Sequence, residues 1–298
     1  MTDDRKDRLD ALAVALLLGC CGLWGLGQVA TKLALVEIPP LMQAAARSLG
    51  AALLLALWSR ARGIVLWRAD GTAAAGWLAG LLFALEFGCM FVGLQFTSAS
   101  RMSVLVYLAP FVVAAGMPFI SRNEHLRAAQ VLGLVVAFAG VVWAFAEGFV
   151  RPAAGPLQWL GDALGIAGAL LWGLTTLVLR GSRLATAAPE KTLLWQLLVS
   201  GLALALASLA AGETLAAVPT AASLLPLAFQ SMIVSFASYL VWFWLVRHYP
   251  ATRISAFTLL TPIFGLLAGV LLLGEPVTAR LLVALAAVVF GLLLVNRA

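Results

Sequence analysis

Residues 99–111, with the sequence ASRMSVLVYLAPF, return 152 positions later as residues 251–263, ATRISAFTLLTPI. Each copy has an Arg two residues after its first Ala, a Ser two residues after the Arg, and a Pro nine residues after the Arg. The likeness continues outward at a spacing of 148 to 152 residues, through the pairs Trp24-Gly25-Leu26 and Trp172-Gly173-Leu174, Lys32 and Arg180, Glu124 and Glu275, and Gly140 and Gly291. We therefore predict two repeats, the first over residues 1–150 and the second over residues 151–298.

The composition is that of a membrane protein. Hydrophobic residues make up 63% of the 298 positions and charged residues 11%, with a mean hydropathy of +1.04. A soluble domain has roughly a quarter charged residues, because water surrounds it. The surplus of apolar side chains predicts that lipid contacts most of the outer surface.

Ten apolar runs are long enough to be transmembrane helices, which need about 20 mainly apolar residues to cross roughly 30 Å of hydrocarbon. The first run is longer than the apolar region of a signal peptide, so we expect it to remain in the protein. Charged residues, Pro and Gly separate the runs. The predicted spans cover residues 11–34, 41–58, 74–96, 101–121, 127–147, 160–180, 191–211, 222–246, 252–273 and 279–296.

The basic residues predict how the ten helices are oriented. With the N-terminus in the cytoplasm, 14 Lys and Arg residues fall in cytoplasmic segments, while Lys32, Arg101, Arg151 and Arg280 fall on the opposite side. Because basic segments are retained in the cytoplasm, we expect both termini there. An odd number of spans in each repeat inverts the second copy. The predicted fold is an all-α membrane protein of ten transmembrane helices in two inverted five-helix repeats, an architecture of secondary transporters with a midplane substrate site.

Other classes of protein have less support. The formal charge of +6 is spread over short connections, whereas a nucleic-acid surface clusters its basic residues. Cys20, Cys21 and Cys89 lack metal or redox spacing, and His125 and His248 lie in connections. No Gly-x-x-x-x-Gly-Lys-Ser/Thr loop for ATP is present. We expect no enzyme activity, no cofactor and no metal, and we favour alternating access over a passive channel or a scaffold.

The repeat resembles that of a known family. Trp-Gly in the first and sixth helices, and the run from Leu260-Thr261-Pro262 through Gly274-Glu275-Pro276-Val277 to Gly291, are similar to the EamA repeat of the drug/metabolite transporter superfamily. The first copy departs from that pattern, because Ser121-Arg122-Asn123-Glu124 stands where Gly-Glu-Pro is expected. The resemblance covers nearly the whole chain and implies a basket of ten helices around a central cavity. Within the superfamily the chain looks like a bacterial exporter of aromatic amino acids.

Glu86 is the acidic residue that we place deepest in the membrane, about 15 Å from either end of its predicted helix at 1.5 Å per residue. An ionised carboxylate at that depth costs roughly 2.5–3.5 kcal/mol, so water, a partner or a proton must compensate for its charge. We predict that Glu86 contacts the ammonium group of a substrate or takes up a proton. An alternative is an ion pair with Arg47, and the two roles are compatible.

Aromatic and polar side chains share faces of matched helices. Gln28 follows Trp24 by one turn, and Thr176 follows Trp172 by one turn, so each pair lies on one helix face. Such pairs suit an aromatic substrate with a polar head group, although Trp next to Gly also suits plain helix packing. We include these four residues in the predicted cavity, together with Tyr107, Tyr239 and Trp242.

Two prolines lie in the middle of matched helices. Pro110 and Pro262 each remove a backbone hydrogen bond, and we expect kinks there that border the cavity and act as gating points. The predicted partners are a small-molecule substrate and the lipid bilayer. A broad exporter of drugs or other metabolites is the main alternative to an amino-acid exporter, and both proton-coupled and facilitated transport stay open.

Overall fold

The computed structural model describes residues 10–66, 70–120, 128–150, 152–249 and 258–297, and the regular structure of these residues is helical throughout. Some residues used in the sequence predictions lie outside these ranges. They are Arg5, Lys6, Arg8, Arg68, the segment 121–127 with Arg122, Glu124, His125 and Arg127, Arg151, and the segment 251–257 with Arg253.

The first half of the described chain contains six helices. Asp10 caps the first of them by accepting a hydrogen bond from the Ala13 amide at 2.9 Å, and Pro40 occupies the first position of the second. Ser98 caps the fourth by accepting from the Arg101 amide at 3.1 Å. The helices are α1 (Ala11–Ala34), α2 (Pro40–Ala61), α3 (Ala73–Gly93), α4 (Ala99–Leu105), α5 (Ala109–Ile120) and α6 (Ala128–Val150).

The second half follows the same order of long helices. A π-helical segment, Phe229–Ser238, joins two α-helices into one continuous helical run from Ala221 to His248. Gly274 ends a later helix with a φ of +65°, a backbone conformation that favours glycine. The helices are α7 (Gln158–Arg180), α8 (Pro189–Ala210), α9 (Ala221–Ala228), α10 (Tyr239–His248), α11 (Thr261–Leu273) and α12 (Ala279–Arg297).

Seven helical stretches in the described residues are long and apolar enough to cross a membrane. Three shorter apolar stretches, Val131–Ala144, Thr261–Leu273 and Ala279–Gly291, lie where the fifth, ninth and tenth spans were predicted. Many large apolar side chains on these helices are exposed, as expected of a surface that faces lipid. The chain is thus a multi-pass helical membrane protein.

The fourth and ninth predicted spans each contain a 3₁₀ turn at matched positions. A 3₁₀ turn at Val106–Leu108 separates α4 from α5, and a 3₁₀ turn at Thr258–Leu260 precedes α11. Each turn lies just before the proline of its repeat, Pro110 or Pro262, which has no backbone N–H to donate. We attribute the two 3₁₀ turns to these prolines, which the sequence had singled out.

Helices from the two halves pack against each other in matched ways. Helix α6 packs along α12, where a methyl group on Gly140 would overlap the Ala287 Cβ. A methyl group on the equivalent Gly291 would lie 2.5 Å from the Gly133 carbonyl oxygen. The two glycines thus allow close approach at both ends of one antiparallel contact.

The repeated Trp-Gly pair also marks close helix contacts. A methyl group on Gly25 of α1 would lie 2.6 Å from the Gly265 nitrogen of α11, and one on Gly173 of α7 would lie 2.5 Å from the Val112 Cβ of α5. Because glycine has no side chain, the two backbones can approach closely there. The adjacent Trp24 and Trp172 contact other aromatic residues.

Candidate functional site

The buried charges of the predicted site lie on neighbouring helices. Arg47 on α2 is 3% exposed, and Glu86 on α3 is 4% exposed. Helix α3 ends at Gly93 rather than at the predicted residue 96, because the chain turns there towards the next helix cap at Ser98. Glu86 therefore lies seven residues from that end, about 10 Å at 1.5 Å per residue, and closer to it than predicted.

Arg47 stacks on aromatic rings. Its guanidinium carbon lies 3.7 Å from the centre of the Phe87 ring and 5.6 Å from that of Phe91, both on α3. Stacking of this kind stabilises a guanidinium in an apolar setting, because the ring face is electron-rich. One face of the Arg47 side chain is therefore held by α3.

Arg47 and Glu86 are close without forming a direct salt bridge. They lie within range of electrostatic interaction, but among the described residues no salt bridge or hydrogen bond joins them. The ion pair that the sequence left as an alternative is therefore not a direct salt bridge in this structure, where the guanidinium packs on Phe87. The Nε and Nη2 atoms of Arg47 and the Oε2 atom of Glu86 are buried without a hydrogen-bond partner in the described part of the chain.

Tyr239 connects this pair of charges to the predicted aromatic residues. Its hydroxyl lies within electrostatic range of Arg47 and Glu86, and also of the Tyr107 hydroxyl. The Tyr239 ring lies 6.4 Å from the Trp24 ring between centroids, at an interplanar angle of 65°. One tyrosine thus brings residues from α1, α2, α3 and the 3₁₀ turn before α5 into one neighbourhood.

Two edge-to-face aromatic contacts flank Tyr239 and Tyr107. Trp24 meets Trp242 with ring centroids 5.2 Å apart, and its indole nitrogen donates to the Ser238 hydroxyl at 2.8 Å. Tyr107 meets Trp172 with centroids 5.7 Å apart and planes at 88°. Five of the predicted cavity residues are therefore in ring contact, in two groups. One group is Trp24, Tyr239 and Trp242, and the other is Tyr107 and Trp172.

The two remaining polar residues are less engaged with this cluster. Gln28 is half-buried one turn after Trp24 on α1. The Thr176 hydroxyl donates to the Trp172 carbonyl at 3.0 Å, within its own helix, which is a common arrangement for threonine in apolar helices. Thr176 is thus placed beside Trp172 with its hydroxyl already occupied.

A polar network that the sequence did not predict joins three helical segments. The Gln43 amide donates to the Thr31 carbonyl at 3.2 Å, and the Thr31 hydroxyl donates to Gln230 Oε1 at 3.1 Å. These contacts link α1, α2 and the π-helical segment. A π-helix is frequently found at functional sites, and this one ends at Ser238, beside Tyr239.

A buried ionic network at the start of α4 was also not predicted. Arg101 is 4% exposed and donates to Asp162 through Nε and Nη2, and to Glu147 through Nη1 at 2.8 Å. Asp162 also accepts from the Thr97 hydroxyl at 2.6 Å, and Glu147 from the Thr278 hydroxyl at 2.8 Å. Among the acidic residues, the sequence had singled out Glu86 alone as a candidate site residue. Asp162 and Glu147 lie near helix ends, yet both are buried there.

A further carboxylate, that of Glu275, accepts hydrogen bonds from the N-terminus of α4. Glu275 accepts from the Ala99 amide at 2.7 Å and from the Ser100 amide at 2.9 Å, while Lys32 lies 4.0 Å from the Glu275 carboxylate and donates to the Thr97 carbonyl. Glu275 belongs to the Gly-Glu-Pro run of the second repeat. An anion at a helix N-terminus satisfies free N–H groups and is stabilised by the helix dipole.

Comparison with known proteins gives the family. A model of the EamA-like transporter family matches residues 11–146 and again residues 159–297. The transporter YvbV of Bacillus subtilis (strain 168), described as uncharacterized, is 30% identical over 281 residues, which span 92% of this chain and 88% of that protein. The inner membrane transporter YedA of Escherichia coli (strain K12), also described as uncharacterized, is 25% identical over 92% of this chain and 87% of that protein.

Two further similarities complete the comparison. A protein of Escherichia coli (strain K12) named as a probable amino-acid metabolite efflux pump is 26% identical, over 92% of this chain and 89% of that protein. A solved crystal structure superposes with a TM-score of 0.67 at 19% identity, over 96% of each chain, and supports the fold alone. The matched repeats and the relatives agree with the helical membrane architecture. The chain belongs to the EamA-like transporter family and is a membrane transporter rather than an enzyme.

Proposed function

We propose that this transporter exports amino acids, aromatic ones among them, by alternating access through a chamber between two inverted five-helix repeats. The repeats comprise residues 1–150 and 151–298. The seven long apolar helices and the three shorter apolar stretches support a count of ten spans. Both termini face the cytoplasm of a bacterial cell, and the membrane is the inner one, as it is for YedA, which is named as an inner membrane transporter.

One observation carries the proposal. Two buried charges, Arg47 and Glu86, have hydrogen-bonding atoms left unpaired and lie within electrostatic range of Tyr239, whose ring contacts Trp24. Buried polar groups without partners are costly, so they are expected where a ligand or water completes them. A ligand that carries charges at one end and an aromatic ring at the other matches this arrangement. The relative named as an amino-acid metabolite efflux pump supports the same class of substrate.

The pathway follows from the fold. Pro110 and Pro262, each of which follows a 3₁₀ turn, are the bending points that open the chamber on alternate sides. The contacts of α4 with Glu275, Asp162 and Glu147 form the closure on the side opposite to the cytoplasm. Movement of the second repeat against the first would break the contacts with Glu275 and Asp162 in one state and restore them in the other, while Arg101 and Glu147 both stay in the first repeat.

Counterflow in liposomes tests the proposal. Purified protein is reconstituted with unlabelled phenylalanine or tryptophan inside, and labelled substrate is added outside. We expect labelled amino acid to accumulate transiently in proteoliposomes and not in protein-free liposomes. Transport of several unrelated organic cations with no counterflow of any amino acid would reject the amino-acid assignment in favour of a broad drug exporter. The same assay with an imposed pH gradient separates proton-coupled from facilitated transport.

A further inference from the structure

Arg47 is held in a way that leaves its donors free. The guanidinium stacks on Phe87, which fixes its plane, while Nε and Nη2 are buried without hydrogen-bond partners in the described residues. Leaving a buried donor unpaired costs about 1–3 kcal/mol, and more for a charged group. Two adjacent N–H donors of a fixed guanidinium form a fork whose geometry matches a carboxylate.

Glu86 is the nearest candidate for a salt bridge with Arg47, yet the two side chains do not form one in this structure. A direct salt bridge would satisfy the free donors of Arg47 and the free Oε2 of Glu86 together. The two groups lie instead within electrostatic range without direct contact, and each retains an unpaired atom. A purely structural pair has no reason to remain apart in an apolar environment, because separation leaves both charges uncompensated by hydrogen bonds.

The surroundings of the pair are suited to an aromatic ligand. Tyr239 lies within electrostatic range of both charges, and its ring is in edge-to-face contact with Trp24. Trp24 in turn meets Trp242. An aromatic side chain placed against this cluster would bring a charged head group towards Arg47 and Glu86.

We propose that Arg47 and Glu86 form a divided charge pair that binds the head group of a free α-amino acid, with the substrate carboxylate on Arg47 and the ammonium on Glu86. This inference rests on the proposed export of amino acids and adds the residue that recognises the carboxylate. Selection for the zwitterion follows, because a substrate that lacks either charge leaves one buried group unpaired. Amines without a carboxylate and acids without an amine are therefore poor substrates.

The test compares three compounds with one aromatic ring. Labelled phenylalanine counterflow is measured in liposomes against increasing phenylalanine, phenethylamine, which lacks the carboxylate, and 3-phenylpropionate, which lacks the ammonium. Wild-type protein is expected to prefer phenylalanine over both. Loss of one charge-assisted interaction, worth about 1.5–3 kcal/mol, corresponds to a preference of roughly 10- to 150-fold.

Variants of Arg47 assign the carboxylate preference. In R47Q the affinity for phenylalanine is expected to fall roughly 10- to 150-fold while that for phenethylamine stays the same or rises, because only phenylalanine loses a charged contact. R47K keeps the charge without the fork and should retain part of the preference. R62Q is the matched control, since Arg62 at the end of α2 is exposed and also lies over a ring, that of Trp58 at 5.7 Å. It should transport like wild type.

The outcomes separate this inference from the proposed function. If wild type moves phenylalanine and folded R47Q keeps the wild-type ratio of phenylalanine to phenethylamine affinity, the role of Arg47 is refuted and export of amino acids stands. If wild type moves no amino acid, both fail. The double variant R47Q/E86Q removes both buried charges and keeps the site neutral. If R47K and this double variant both fail to fold, Arg47 is structural and the inference is overturned.

Discussion

The carboxylate of Glu275 accepts two hydrogen bonds from Ser100, one from its amide at 2.9 Å and one from its hydroxyl at 2.7 Å. Glu275 follows α11 in the second repeat, and Ser100 opens α4 in the first. The amide of Ala99 donates to the same carboxylate at 2.7 Å. A connection within the second repeat therefore caps a helix of the first, and the two halves are joined through the N–H groups of a helix terminus.

Removing this cap should destabilise the protein. Glu275→Ala leaves the Ala99 and Ser100 amides without their acceptor, and loss of a helix cap costs about 0.5–2 kcal/mol. We expect a lower midpoint of thermal unfolding in detergent, followed by circular dichroism. Glu190→Ala is a control, since Glu190 lies in the first turn of α8 and should matter less. Equal midpoints for wild type and Glu275→Ala would contradict the capping role.

The network around Arg101 should be sensitive to loss of one carboxylate. Asp162→Asn leaves the buried Arg101 with less compensating charge, and breaking a buried ion pair costs about 3–5 kcal/mol. We expect a larger loss of stability than for Glu275→Ala, measured by denaturant unfolding in the same detergent. Glu190→Gln removes an acidic charge from an α-helix without touching this network. If Asp162→Asn and Glu190→Gln lower the free energy of unfolding by the same amount, the buried network around Arg101 makes no specific contribution to stability.

The close approach of α1 and α11 predicts different effects for two glycines of one helix. Gly25→Ala would place a methyl group 2.6 Å from the Gly265 nitrogen, and overpacking of this kind costs about 1–3 kcal/mol. Gly19→Ala meets nothing within 4 Å and should be neutral or slightly stabilising. The yield of monodisperse protein and its unfolding midpoint check both. A well-folded Gly25→Ala variant would show that the helices separate easily.

Glu86→Gln should lower transport more than stability. The amide keeps the size of the side chain and loses the charge that attracts an ammonium group. Loss of a charge-assisted contact predicts a fall in transport efficiency of about tenfold or more. Counterflow of labelled phenylalanine gives the rate, and size-exclusion chromatography gives the folded fraction. Normal transport by the variant would remove Glu86 from the site.

The regular part of the fold could be predicted from sequence because hydropathy and proline act locally. The first helix runs from 11 to 34 as expected, and the matched prolines Pro110 and Pro262 each follow a 3₁₀ turn. The π-helical segment could not be predicted. Its residues Phe229–Ser238 contain no Pro or Gly, and its register depends on packing against α1 and α2.

Part of the candidate site was predictable because its residues stand out in local sequence patterns. Trp24 and Trp172 stood out through the repeat, and Glu86 through its position in an apolar run. The contacts of Arg101 with Asp162 and Glu147 join residues 61 and 46 positions apart, so no local pattern indicates them. The stacking of Arg47 on Phe87 likewise depends on how α2 meets α3, and it decides that Arg47 and Glu86 make no direct salt bridge.

Access to the space between the repeats is best tested at Gln28, which is half-buried beside Trp24. A Gln28→Cys variant is made in a transport-competent background without Cys20, Cys21 and Cys89. It is treated with a membrane-impermeant thiol reagent from each side of oriented vesicles. The account predicts labelling from both sides and protection by phenylalanine. Absence of labelling from either side, in protein that still transports, would contradict a solvent-reachable chamber between the two repeats.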